Sequence, residues 1–486
     1  MTVIVVSNRI ALPQGQEPVS GGLAAALLPA VKNSGAIWVG SSGREVEFCG
    51  KDALAEIHPH GAGAIATVDM PAEHYQRFYE GFSNSVLWPA LHSRMDLVRA
   101  APADYASYRE VNAFMARALL RFYRPDAAFW VHDYHFLLLA QNLRESGIAR
   151  PIGFFLHTPF PSHTVFASVP QHRDLAAGML CYDLIGFQTD DDAKNFAEYI
   201  TREFELNVDE SGIICHRGGT TRLASFPVGI DVAAFAEQAM KAAARPAIAH
   251  LRGSLQGRKL AIGVDRLDYS KGIPHRFQAI DRLFERHPPV RRTLSLLQIA
   301  VPTRDRIPAY QQLKAEIAAL VGEINGRHAD VDWTPIRYLN KSFPQDVLAG
   351  FYRSAQLGLV TPLQDGMNLV AKEYVAAQNP LDPGVLILSE FAGAAKQLDA
   401  ALLVNPHDLD AVVDAIMRGL AMPIAERRQR WASMITRMEA SALDAWFSDF
   451  VTELTAVRRG VRRPPLAMPA ASAASVALRS AAVSRH

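Results

Sequence analysis

Cysteine is scarce. Only Cys49, Cys181 and Cys215 occur in 486 residues, far apart and without a CxxC spacing, which argues against a disulfide framework or a cysteine-rich zinc site and fits reduced thiols in a cytoplasmic protein. Long apolar runs are missing too. The greasiest stretches, 136–140 and 152–156, are strand-length, well short of the roughly 18 residues that cross a bilayer. The opening MTVIVVSN lacks a basic n-region and a small-residue cleavage site, so it reads as a first strand and not as a leader. Excess charge of either sign is absent. Fifty basic against 49 acidic residues leave +1, unlike the strongly basic domains that bind nucleic acid. Acidic residues stop at Glu453, whereas Arg458, Arg459, Arg462, Arg463, Arg479 and Arg485 follow, so taking those six from the total of +1 leaves residues 1–456 at −5. Phosphate-loop signatures are lacking as well. There is no GxxxxGK[ST], and the one near match to GxGxxG, at Gly61, Gly63 and Ala66, precedes an apparent strand over 64–70 where the dinucleotide motif must follow one.

What remains is a chain of alternating elements. Its length exceeds the roughly 250 to 300 residues at which one core stops growing, and 49% hydrophobic residues suffice for two. Apolar runs at 3–6, 37–39, 127–131, 152–156 and 184–187 alternate with amphipathic stretches such as 103–122 and 190–204. A second series follows at 260–264, 293–301, 335–339, 357–360, 385–388 and 401–404. Strands apolar on both faces and separated by helices predict parallel sheets covered by helices, hence an α/β protein of two Rossmann-like doubly wound domains facing a central cleft. The Ala-rich stretch 230–256 reads as the junction, giving domains over 1–232 and 233–440. The Pro-, Ala- and Ser-rich end, 461–486, predicts a disordered tail that is dispensable for catalysis.

Anion-binding equipment gathers at strand ends. Ser7, Asn8 and Arg9 end the first strand, and Gly21 and Gly22 open the next helix, where close backbone approach and free N–H groups favour negative charge. The second series begins with a strand ending in DRLDYSKG. Arg266 and Lys271, five residues apart across a strand-to-helix turn, can address one diphosphate from two sides; ion pairing with Asp265 and Asp268 is the competing explanation. Lysine is rare, ten in all. In TPLQDGMNLVAKE, Asp365 and Gly366 predict a turn with a helix from Met367 onward, Asp365 serving as a cap, and Glu373 placed to accept from a ribose diol. Asp190, Asp191 and Asp192 read as a helix start and not as a metal cluster. His132, His135, His157 and His163 are zinc ligands by type but lack a helical i, i+4 pair.

Together SNRI, the GG pair, FSNxxLWP (82–89), VHDYH (131–135), GFFLHTPFP (153–161), GFQT (186–189), DRLDYSKG and TPLxDGMNLVAKEYVAAQ resemble the trehalose-6-phosphate synthases, over most of the chain. The resemblance implies a metal-independent, retaining GT-B glucosyltransferase that moves glucose from UDP-glucose to glucose 6-phosphate, with no cofactor, no membrane or nucleic-acid partner, and a dimeric or tetrameric assembly. It implies an acceptor domain at 1–232, a donor domain at 233–440 and a helix at 441–460 returning to the first domain. Donor contacts fall on Gly21, Gly22, Arg266, Lys271, Phe343 and the run Asp365, Gly366, Met367, Asn368, Leu369, Val370, Ala371, Lys372 and Glu373. Acceptor contacts fall on Arg9, Tyr79, Trp88, Asp133 and Arg304. His157, Asp133, Arg266, Lys271 and Asp365 carry the chemistry, and Trp88 and Thr158 set anomer selectivity. A Trp usual in the WxGWSG segment is Ser41 here. Two other readings stay open: a UDP-sugar transferase or epimerase acting on a neutral acceptor, and a non-catalytic sugar-phosphate sensor.

Overall fold

A computed structural model describes residues 2–10, 22–47, 55–441 and 443–457; Gly21 and the tail at 461–486 lie outside them. Two sheets organise the chain. The first contains β1 (Val3–Arg9), β2 (Ile37–Val46), β3 (Ala55–His60), β4 (Gly63–Pro71), β5 (Ala128–His132), β6 (Ile152–Phe155), β7 (Leu184–Phe187), β8 (Ile213–His216) and β9 (Gly219–Ser225). Their order is β3-β4-β2-β1-β5-β6-β7-β9-β8. The second contains β10 (Lys259–Arg266), β11 (Leu294–Val301), β12 (Ile336–Leu339), β13 (Leu357–Val360), β14 (Val385–Ser389) and β15 (Leu402–Val404), in the order β12-β11-β10-β13-β14-β15. All its pairings are parallel, with Val264 opposite Ile299 and Leu359 opposite Ile387.

Burial on both faces explains why the strands lack alternation: β5, β6, β7, β13 and β14 are buried at every position. Departures from parallel pairing occur at the two edges of the first sheet, where β3 and β8 close antiparallel hairpins onto β4 and β9. Gly61, at φ 62°, turns the first of these hairpins, which is the structural use of the glycine-rich run that failed as a dinucleotide motif. In each sheet the strand order reverses beside the first strand of its series, between β1 and β5 and between β10 and β13. Such reversals open a crevice at the carboxyl ends of the strands.

Helices fill the predicted positions with local corrections. The stretch expected over 103–122 is a helix, Pro102–Leu119, ending in a 3-10 turn, Leu120–Phe122. The junction is two helices, Val232–Ala242 and Pro246–Leu255, because Pro246 cannot continue the first and instead opens the second. The last helix, Leu443–Ala456, lies on the first sheet. Phe450 stacks on Trp130 with ring centroids 4.4 Å apart, and Gly153 and Gly186 on neighbouring strands make room for it, since a Cβ at either would approach its ring to 2.7 or 2.8 Å. No helix among the described residues is long and apolar enough to cross a membrane.

Candidate active site

The two strand-order reversals deliver their loops to the same place. Arg9 ends β1 as an exposed residue, and Asp133 follows β5 at φ 75°, an unusual conformation for a non-glycine residue. Asp133 accepts from the backbone N–H groups of Tyr134 and His157, its Oδ1 has no partner, and burial pushes its carboxyl up to about 6. Opposite, the segment after β10 brings Arg266, Asp268 and Lys271, and the segment after β13 brings Asp365.

The charged groups form a connected set. Lys271 Nζ donates to Asp365 Oδ2 at 2.5 Å, and Asn368 Nδ2 donates to the same oxygen at 2.9 Å. As for the competing explanation, Lys271 pairs with neither Asp265 nor Asp268, while Arg266 comes within 3.9 Å of Asp268 Oδ2. The expectation that Asp365 caps the following helix is corrected. That helix starts at Leu369, not Met367, and its cap is Asn368, whose Oδ1 accepts from the Ala371 N–H. Asp365 is drawn off by a cation about 94 positions away in sequence, a partner that local spacing cannot reveal. Asp265 instead takes Arg276 at 2.5 Å inside the domain.

Asp268 is fully buried. Burial opposes its ionisation, yet Arg304 and Arg266 together hold the carboxyl below the usual carboxylate range. Arg304 reaches Asp268 Oδ2 at 3.0 Å, the Tyr310 hydroxyl at 2.5 Å and the Tyr134 hydroxyl at 3.0 Å. The resemblance places it on the acceptor phosphate; here its side chain is only 4% exposed, with Nε its one unpartnered nitrogen. Both arginines lie against Trp88, with the guanidinium carbons 4.0 Å (Arg304) and 4.9 Å (Arg266) from its ring centroid, and Nε1 donates toward Asp268 Oδ1 at 3.4 Å. Tyr79 is supplied by an unusual π-helical stretch, Arg77–Leu87, and Trp88 opens the short α-helix Trp88–Leu91 that follows it, a change of winding no periodicity foretold. Tyr79 stacks on His135 at 5.9 Å. Ser41, at the position of the missing Trp, is buried beside the Tyr75 hydroxyl.

The two halves touch at Gly366. A Cβ there would lie 2.0 Å from the His157 carbonyl oxygen, and one at Gly393 would lie 1.9 Å from the Gly366 carbonyl oxygen. Only glycine permits this approach, which sets His157 and Thr158 against the Asp365 turn. His157 Nε2 meets His132 Nδ1 at 3.0 Å, and burial pushes the His157 ring down to about 3. Thr158 is buried with its hydroxyl unpartnered.

The residues expected at the donor divide. Leu369 and Val370 open the helix after Asn368, while Met367 and Ala371 are buried in the core. Phe343 is half-buried against Phe351, with Lys341 4.9 Å above its ring. Burial pushes the Glu373 carboxyl up to about 7, with the Tyr352 hydroxyl 3.4 Å away. Lys372, counted among the donor contacts, turns its ammonium inward onto the Val228 carbonyl at 2.6 Å. The four histidines do not converge: His163 pairs with Glu203 at 2.9 Å. Asp190–Asp192 form the first turn of a helix capped by Thr189. No cluster of three His, Cys, Asp or Glu among the described residues could hold a metal.

Comparison with known proteins fits this geometry. The chain is 42% identical over 458 residues to the trehalose-6-phosphate synthase of Sinorhizobium fredii, covering 93% of this chain and 98% of that protein. A crystal structure of an α,α-trehalose-phosphate synthase (UDP-forming) from Burkholderia xenovorans, in complex with glucose 6-phosphate, superposes with a TM-score of 0.90 at 43% identity, covering 94% of this chain and 100% of that one. An E. coli relative bound with UDP-2-fluoro glucose gives 0.89 at 38% identity, covering 95% and 100%. With these likenesses and a match to the glycosyltransferase family 20 model over residues 3–456, the chain belongs to glycosyltransferase family 20.

Proposed function

We propose that the chain transfers glucose from UDP-glucose to the C1 hydroxyl of glucose 6-phosphate with retention of configuration, releasing UDP and α,α-trehalose 6-phosphate. The observation that carries this is the pair of guanidiniums, Arg304 and Arg266, gathered against the Trp88 ring and around Asp268 Oδ2, which gives one cleft two cations for two phosphorylated substrates. The first half, 1–232, takes the acceptor and the second, 233–440, the donor.

The donor diphosphate lies between Arg266, Lys271 and the helix-start amides of Leu369 and Val370. Glu373 accepts from the ribose, the backbone at Phe343 meets uracil, and Asp365 with Gly366, Met367 and Asn368 grips the glucose hydroxyls. Arg9, Tyr79 and Arg304 take the acceptor phosphate, with Arg304 exchanging a protein partner for it, while Trp88 and Asp133 orient the sugar. The bond from C1 to the phosphate oxygen breaks as C1 bonds to the acceptor oxygen, and the acceptor proton passes to the leaving phosphate oxygen on the same face. Negative charge grows on UDP, where fixed cations and amides stabilise it most in the transition state. Arg266 and Lys271 supply that positive charge without a divalent metal.

The test incubates the purified chain with UDP-glucose and glucose 6-phosphate, with and without a chelator. Equal amounts of trehalose 6-phosphate and UDP are expected in both. Absence of product overturns the reaction, and activity restored only by a divalent metal overturns the cation assignment.

A further inference from the structure

Gln188 and Lys372 are buried polar side chains with no task in this chemistry, and they hold one residue. Val228 leads out of the first sheet toward the second half. Its N–H donates to Gln188 Oε1 at 3.1 Å, and its carbonyl accepts from Lys372 Nζ at 2.6 Å. Lys372 belongs to the helix Leu369–Ala377 of the donor half and Gln188 follows β7 of the acceptor half. Val228 is therefore clamped from both halves.

That clamp has a consequence for His157. With Oε1 fixed on an N–H, the other end of the amide is Nε2, which faces His157 Nδ1 at 3.5 Å and can only donate. A hydrogen on Nδ1 would set two donors against each other. The ring is neutral and must hold its hydrogen on Nε2, where it donates to His132 Nδ1 at 3.0 Å. We propose that Gln188 is a positioning residue that fixes the Nε2–H tautomer and the ring plane of His157, and that Val228, held at its carbonyl by Lys372, orients Gln188 through its N–H. The inference rests on the reading of His157 as the polar group beside the anomeric centre. A histidine's partner on one nitrogen decides what the other presents.

Two full-length variants separate this from ordinary packing. Gln188→Glu keeps an acceptor for Val228 but also places one against Nδ1, reversing the His157–His132 bond. Gln188→Leu removes both contacts. Nitrogen-resolved NMR of labelled histidine rings reads the tautomer, beside kcat, KM and melting temperature. The expected result is Nε2–H at His157 in the parent and Nδ1–H in Gln188→Glu, with kcat lowered about 10- to 100-fold, the range for lost outer-shell partners, and both KM values within about threefold. Nδ1–H in the parent, or parental kcat in Gln188→Glu, overturns the inference, as does a loss of kcat in both variants that follows only melting temperature. If the parent forms no trehalose 6-phosphate while the tautomers behave as stated, the functional reading fails and the tautomer assignment stands.

Discussion

At the strand-order reversal of the first sheet, Asp133 lies buried without an ion-pair partner among the described residues, and His132, His135 and His157 are kept neutral by burial. At that of the second, Lys271 with Asp365, and Asp268 with Arg304, sit in contact. One topology thus supports two electrostatic solutions. On the first side a carboxyl is held buried among neutral rings at a cost to stability, with Arg9 exposed at the end of β1. On the second, matched ions hold their cations already oriented. Preorganised charge stabilises a transition state without rearrangement at the moment of reaction, and under the proposed reaction the second side faces the departing UDP.

Removing one member of a matched pair should hurt most. Asp268→Asn leaves Arg304 buried with its charge uncompensated, and breaking a buried pair in this way costs about 3–5 kcal/mol. Chemical denaturation of parent and variant measures it. A loss below about 1 kcal/mol, the range of exposed pairs, would remove the distinction between the two sides.

Next is Lys271→Ala. Loss of one fixed group facing developing charge costs about 2.7–4 kcal/mol, or roughly 10²- to 10³-fold, and kcat/KM for UDP-glucose should fall by that factor while the KM for glucose 6-phosphate changes little. An equal effect on both substrates would contradict the division of the cleft.

The sequence showed the cations and strands but not this division. Runs apolar on both faces announced the two sheets, and DRLDYSKG announced Arg266 and Lys271. Nothing local announced that Lys271 would take Asp365 from another loop, or that Arg304 would turn inward to Asp268, Tyr134 and Tyr310, because these partners are brought together only by strand order. The π-helical turn at 77–87 had no reading at all in the sequence, where only the motif at 82–89 stood out; its Phe78 packs against Tyr108 and His135. The strands β3, β8 and β9 had no reading in the sequence, since short, partly exposed strands at the ends of a sheet carry little periodicity.

Asp133→Asn tests the unmatched side, with the opposite sign for stability. Burial raises the carboxyl to about 6, so its protonated form is favoured on folding; that contribution is present below the unfolded value near 3.9 and lost as pH rises through 6. At pH 8 the amide should therefore be more stable than the parent, by up to about 3 kcal/mol, and equal near pH 3. Activity should move the other way. The acid limb of kcat/KM near pH 6 reports the free carboxyl and should vanish in the variant; a limb that persists belongs to the substrate phosphate, whose second ionisation is also about 6.

The smallest effect is expected from a pair that also joins the two halves. Lys396 reaches Asp191 at 2.7 Å, with both side chains about 60% exposed. Distance alone would rank it with Lys271 and Asp365, but solvent screening and side-chain entropy leave exposed pairs at about 0.2–1 kcal/mol. A double-mutant cycle on Asp191→Ala and Lys396→Ala should return a coupling in that range that shrinks with salt, with kcat within about twofold of the parent. A salt-insensitive coupling above about 2 kcal/mol would mean that the halves are held by their rim. A small one leaves the buried contacts to join the halves: the approach of Gly366 on His157 and the hydrogen bonds of Trp88 to Asp268, Arg304 to Tyr134 and Lys372 to Val228.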